Sequence, residues 1–235
     1  MSDTQDVLLK SPLPAPGSTY KWELHGIDIH DEYLKPALKR RVHPDLRLHD
    51  VNCEFPAEWN WQNSFDIVHQ RLLIWGIKKQ DWPKAVERLL GLVKPGGWLE
   101  LVEVVWVDND VEITHPELAK QKIFQTWTCD QHGFDIDVGH KLERMLQQAG
   151  CQKVAKYEYE LGIGAKAKRD YWKGKSMQMW NETYRSFEYK VPRDGISGVA
   201  KTPQELHDFL DRLNVEIEEH GYAPKINFVI GQKPA

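Results

Sequence analysis

The stretch "FDIVHQRLLIWGIKKQDWPKAVERLLGLVKPGGWLELVEV", residues 65–104, reads as one complete strand–helix–strand unit. "FDIVHQ" (65–70) is a short, mostly apolar run of strand length. "DWPKAVERLLGLV" (81–93) places apolar residues at 85, 86, 89, 90 and 93, with Pro83 in the first turn, which is helical spacing behind a helix-start signal. "KPGG" (94–97) reads as a stop and turn. "WLELVEVVWV" (98–107) predicts a long strand, apolar on one face and partly on the other. Two strands joined through a helix lie parallel in one sheet.

Working outward, the same alternation continues. Upstream, "YKWELHGIDI" (20–29) and "LRLHDV" (46–51) read as strands around a short helix at 31–41, which Asp31 caps and Pro36 interrupts. Downstream, helices are predicted over 115–133 and 138–150, a strand over 153–163, helices over 169–189 and 202–221, and a last strand within 223–234. Gly150 and Gly221 serve as helix stops and Thr202 as a cap. The expected fold is α/β: a mostly parallel sheet with helices on both faces. "KYEYELGI" and "KINFVIG" close it as antiparallel C-terminal strands. One domain is expected over residues 21–235. An N-terminal arm holds 1–20, where Pro12, Pro14, Pro16 and Gly17 break any element apart from a short strand candidate, "DVLLK" (6–10). Residues 163–221 form a helical insertion, placed as a lid over the sheet's carboxyl edge.

Composition excludes several classes. Of 235 residues, 28% are charged and 41% hydrophobic, and the net charge is −4, so there is no general basic excess for a nucleic acid. Three scattered cysteines, Cys53, Cys129 and Cys151, give neither a zinc knuckle nor a disulfide framework. No histidine pair has metal-ligand spacing, and no metal is expected. Residues 1–17 have no basic stretch followed by an apolar run, so they do not read as a signal peptide. No apolar run approaches the ~20 residues of a membrane span. A cytoplasmic or nuclear location follows, with no membrane partner. Ten tryptophans are many for this length. They fill a core and its rim, or line a pocket for a flat apolar ligand.

In order along the chain, "HGIDIHDEYLKP" (25–36), "LRLHDVNCEFPAEW" (46–59), the 65–104 block, "GHKLERMLQQAGCQKV" (139–154) and "INFVIGQKP" (226–234) resemble the fungal LaeA/UMTA-type class I methyltransferases over roughly residues 22–234. The resemblance implies a Rossmann-like sheet, S-adenosylmethionine (SAM) as cofactor and a small-molecule acceptor in secondary metabolism. It places Asp28 on the ribose hydroxyls and Asp50 on the adenine amine, with Val51 against the ring. A carboxylate at a strand's carboxyl end suits vicinal hydroxyls; capping the next helix would use Asp28 equally well, and a plain turn role would use Asp50. His69 and Gln70 end the "FDIVHQ" strand where ligands sit in open α/β sheets, so His69 is a candidate general base and both are candidate cofactor contacts. His132, beside Asp135 in "DQHGFDIDVG", is a second catalytic candidate. Glu100 and Glu103 lie on opposite faces of one strand and do not form a carboxylate pair.

The sequence also departs from the family. Its members begin with a strand and a glycine-rich turn that cradles the cofactor. Residues 1–24 contain no such turn. The expected sheet is therefore shortened at its first, central strand, which favours a dimer exchanging arms. SAM-dependent methyl transfer is the leading expectation. A SAM-independent cyclase or isomerase on the same fold and a non-catalytic regulator are the alternatives.

Overall fold

The structure, a computed structural model, describes residues 23–30, 34, 45–106, 114–186 and 191–235. The "DVLLK" strand candidate, the N-terminal arm and nearly all of the 31–41 helix lie outside these residues. The chain divides into two compact units, residues 1–53 and 54–235.

In the first unit, β1 (His25–Asp28) and β2 (Asp45–Leu48) pair in parallel, with Asp28 opposite Leu48. His49 N–H donates to the Asp28 carbonyl at 2.9 Å and continues the ladder past the strand end. His25 Nδ1 and the Arg47 guanidinium both meet Asp45; these two partners, Arg47 foremost, hold its carboxyl below the usual range against the opposing effect of burial.

The second unit is a four-stranded mixed sheet in the order β3–β4–β6–β5. It contains β3 (Phe65–Arg71), α1 (Trp82–Leu92), β4 (Val93–Val105), α2 (Pro116–His132), α3 (Val138–Gln148), β5 (Gln152–Glu160), α4 (Asp170–Arg185), α5 (Pro203–His220) and β6 (Lys225–Gln232). β3 and β4 run parallel, whereas β6 is antiparallel to both β4 and β5. The C-terminal strands are thus the antiparallel ones, as the sequence implies. β4 is central and buried on both faces: Leu99, Leu101 and Val105 point one way, Val102 and Val104 the other.

α1 forms where the spacing predicts it and buries Trp82, Ala85, Val86, Leu89 and Leu90. The "KPGG" segment differs from its reading as a break. β4 already begins at Val93, opposite Phe65, and the next pair is Ile67 with Trp98. Lys94–Gly97 therefore bulge out of a continuing strand. Gly96 takes φ 78°, which glycine adopts freely. Gly97 passes so close to the Asp66 carbonyl that a Cβ would sit 2.8 Å from it. The chain's end secures the bulge. Lys233 N–H donates to the Gly97 carbonyl at 2.9 Å, and Lys233 Nζ donates to the carbonyls of Leu90 and Val93, satisfying the last turn of α1.

Between β5 and β6 the predicted insertion is two helices, α4 and α5. Thr202 Oγ1 accepts the Glu205 N–H at 3.1 Å at the head of α5. α5 buries Leu206, Phe209, Leu210, Leu213 and Ile217 against Phe124 of α2 and Trp180 and Tyr184 of α4. Among the described residues, no helix is long and apolar enough to cross a membrane.

Candidate functional site

Parallel strands end at the same edge, so β1 and β2 bring Asp28 and Asp50 together at one side of the first unit. Asp28 Oδ1 accepts the His30 N–H at 2.8 Å. The other carboxylate oxygen makes no hydrogen bond to a described residue. Asp50 closes a turn: its Oδ1 accepts both Asn52 N–H and Asn52 Nδ2–H at 2.9 Å, and its carbonyl accepts Cys53 N–H. Val51, inside that turn, is buried.

In the second unit, His69 lies opposite Glu100 in the β3–β4 ladder. Its Nδ1 meets Glu100 Oε2 at 2.5 Å, and the imidazole remains half exposed. A carboxylate on Nδ1 fixes the ring and directs the lone pair to Nε2. Gln70 points to the other face and is buried. Its Nε2 donates to Glu103 Oε1 at 2.7 Å, and the same oxygen accepts the Leu73 N–H at 2.6 Å. Glu103 is 0% exposed, and Glu103 Oε2 and Gln70 Oε1 have no partner among the described residues. Burial pushes the Glu103 carboxyl up to about 7, against the lowering effect of its hydrogen bonds from Gln70, Leu73 and Ile74. Glu100 and Glu103 do face opposite ways, but each has a polar partner on β3. The strand register decides both pairings, so strand assignment alone did not reveal them.

His132 ends α2 and is exposed beside Phe134. The adjoining Gly133 carbonyl accepts the Lys79 N–H at 2.8 Å, which ties this helix end to the connection leaving β3. The structure does not bring His132 to His69. Asp135 is buried and bonded through both oxygens to Lys141 Nζ, at 2.6 and 2.7 Å, so it does not orient His132.

Beside the ends of β3 and β4 the aromatic residues gather. Trp75 and Trp106 stack with centroids 5.7 Å apart and planes 1° from parallel. Trp180 packs on Trp106 at 5.6 Å, on Tyr184 at 4.3 Å and on Tyr222 at 5.1 Å. Tyr222 Oη donates to the Trp106 carbonyl at 2.9 Å. Gln121 and Gln125 donate to Tyr184 Oη, and burial raises that phenol well above its usual range. Burial likewise pushes the Cys129 thiol up to about 12, which makes it an inert core thiol rather than a nucleophile. The indole nitrogens of Trp106 and Trp180 and the Gln125 Oε1 are buried with no partner among the described residues. An unpaired buried donor costs roughly 1–3 kcal/mol.

The fold and these groups define an α/β protein with carboxylates at the ends of parallel strands and an aromatic cluster that the inserted helix α4 helps to build. Residues 16–156 match the methyltransferase-domain family, and the chain belongs to that family. It is 29% identical over 194 residues, 81% of this chain, to the N-methyltransferase sirN of Leptosphaeria maculans, and covers 66% of that protein. It is 27% identical over 157 residues, 61% of this chain, to the methyltransferase pytC of Aspergillus terreus, and covers 46% of it. The chain thus spans about half to two thirds of these relatives' length. Among solved structures, the phosphoethanolamine N-methyltransferase 2 of Haemonchus contortus aligns with a TM-score of 0.49 at 17% identity, over 91% of this chain and 44% of that one.

Proposed function

We propose that this chain is the catalytic part of a fungal small-molecule methyltransferase of the LaeA/UMTA type, using SAM and acting on an apolar or aromatic acceptor in secondary metabolism. Asp28 carries the reading. Inside the stretch matched to the family, it stands at a strand's carboxyl end with one carboxylate oxygen unpartnered among the described residues. That fits the nucleoside part of SAM. The residues without a glycine-rich turn, 1–24, lie almost wholly outside the described ones.

When bound, SAM supplies an electrophilic methyl group on a sulfonium. The chain's own residues bind and orient. Asp28 accepts the ribose hydroxyls, Asp50 accepts the adenine amine and Val51 packs on the ring. The aromatic cluster holds the acceptor, and alignment supplies most of the rate. His69, with Nδ1 held by Glu100, takes the acceptor's proton at Nε2. His132 is the second candidate for that step.

Calorimetric titration with SAM and S-adenosylhomocysteine tests the proposal. Micromolar binding is expected, and Asp28→Ala should weaken it by roughly 10–100-fold through loss of two hydrogen bonds to a carboxylate. Folded wild-type protein that binds neither compound at millimolar concentration would overturn the reading in favour of SAM-independent cyclisation.

A further inference from the structure

α4 presents two unlike faces. Trp180 and Tyr184 turn inward and are buried. The opposite arc carries Tyr171, Trp172, Lys175 and Met179 within about a third of a turn, since each residue advances ~100°. A helix packed on a core normally turns polar residues outward. Here the outward residues are 64% (Tyr171), 51% (Trp172) and 48% (Met179) exposed. Lys175 Nζ lies 4.2 Å from the Tyr171 ring centroid and 5.7 Å from that of Trp172.

The charge around this arc is the second observation. Residues 164–175, "GAKAKRDYWKGK", hold Lys166, Lys168, Arg169, Lys173 and Lys175 against the single Asp170, a net +4 in a chain whose total is −4. Asp170 pairs with Lys173 at 2.9 Å. Lys166, Lys168 and Arg169 are exposed and make no ion pair with a described residue. The basic segment thus runs directly into the aromatic arc.

We propose that the outward face of α4, with the basic segment before it, docks this protein on an anionic phospholipid surface. Tyrosine and tryptophan suit the boundary between headgroups and acyl chains, because each ring is apolar with one polar tip. Lysine and arginine stems reach phosphate headgroups while their methylenes cover apolar surface. A helix that lies in the interface needs aromatic and apolar residues on one arc flanked by cations, without the long apolar run of a spanning helix. The expectation of no membrane partner rests on the absence of a spanning run, which does not bear on this geometry. A nucleic acid would use the same cations, but it has no use for the exposed thioether of Met179, about one turn beyond Lys175 and two beyond Tyr171.

The test is co-sedimentation of the full chain with phosphatidylcholine vesicles, with and without ~30% phosphatidylserine as the source of anionic charge, at two salt concentrations. The protein should pellet with the phosphatidylserine vesicles, release as salt rises, and leave the neutral ones largely unbound. Each cation near an anionic surface changes binding about 5-fold, so Lys168→Ala with Arg169→Ala should weaken it roughly 25-fold. Trp172→Ala should weaken it several-fold at either salt concentration. All three positions are exposed, and unchanged melting curves verify the folds. Equal binding to both vesicle types, no binding to either, variants that bind like wild type, or tighter binding to a single-stranded oligonucleotide would each overturn the proposal.

Discussion

Glu103→Gln will flatten part of the protein's stability profile between pH 4.5 and 7. Glu103 is fully buried, and its carboxyl sits at about 7 instead of the ordinary 4.5. Between those values the folded chain holds a proton that the unfolded chain has released. Stability falls with pH wherever the folded state binds more protons. This group's contribution is therefore fully present below pH 4.5 and is lost as pH rises to about 7. The loss is about 3 kcal/mol, at roughly 1.36 kcal/mol for each pH unit separating the two values. Glutamine has the same shape, and its Oε1 can still accept from Gln70 Nε2 and Leu73 N–H. Denaturant unfolding at pH 5 and pH 8 is the measurement. The variant should gain on wild type by roughly 2–3 kcal/mol from the lower to the higher pH. Parallel curves for the two proteins would show that Glu103 is ionised throughout.

Gly164→Ala should release the inserted helices. Gly164 has φ 61°, and a Cβ there would overlap the Ile217 carbonyl in the last turns of α5. Nearby, Ile163 and Tyr222 exchange backbone hydrogen bonds at 2.7 and 3.0 Å, and Gly221 lies against the Lys166 backbone. This crossing therefore has no room to relax. Left-handed backbone costs a non-glycine residue ~1–2 kcal/mol, and overpacking adds ~1–3 kcal/mol, so a loss of about 3 kcal/mol is expected. It should be accompanied by faster proteolysis within 165–186. Gly174→Ala is the control of opposite sign. Gly174 lies inside α4 with open space at its Cβ, and alanine should stabilise the helix by ~0.5–1 kcal/mol. If both variants destabilise equally, the close crossing at Gly164 is not what holds the insertion.

The two predictions concern parts of the molecule that are unequally legible in the sequence. The helix over 81–93 and the strands around it are readable because the 3.6- and 2-residue periods are local properties of a chain packing against one core. Asp28's place at a strand end is readable for the same reason. The "KPGG" bulge is not, because its form depends on a distant segment: Lys233 and Gln232 donate to the bulge and to the helix end before it.

Sequence by itself determined the order of the described elements, the antiparallel closing strands, the helical insertion and the acids at the ends of β1 and β2. Tertiary structure alone decided who meets whom. Register across β3 and β4 gave His69 to Glu100 and Gln70 to Glu103, since a one-residue slip would exchange the faces. Packing of α4 sent Trp180 and Tyr184 inward and left Tyr171 and Trp172 in solvent, though all four are aromatic residues of one helix. Residue type sets what a side chain can bind. Whether it meets core, ligand or water depends on which neighbours the fold brings within contact distance, and those neighbours lie far away in sequence.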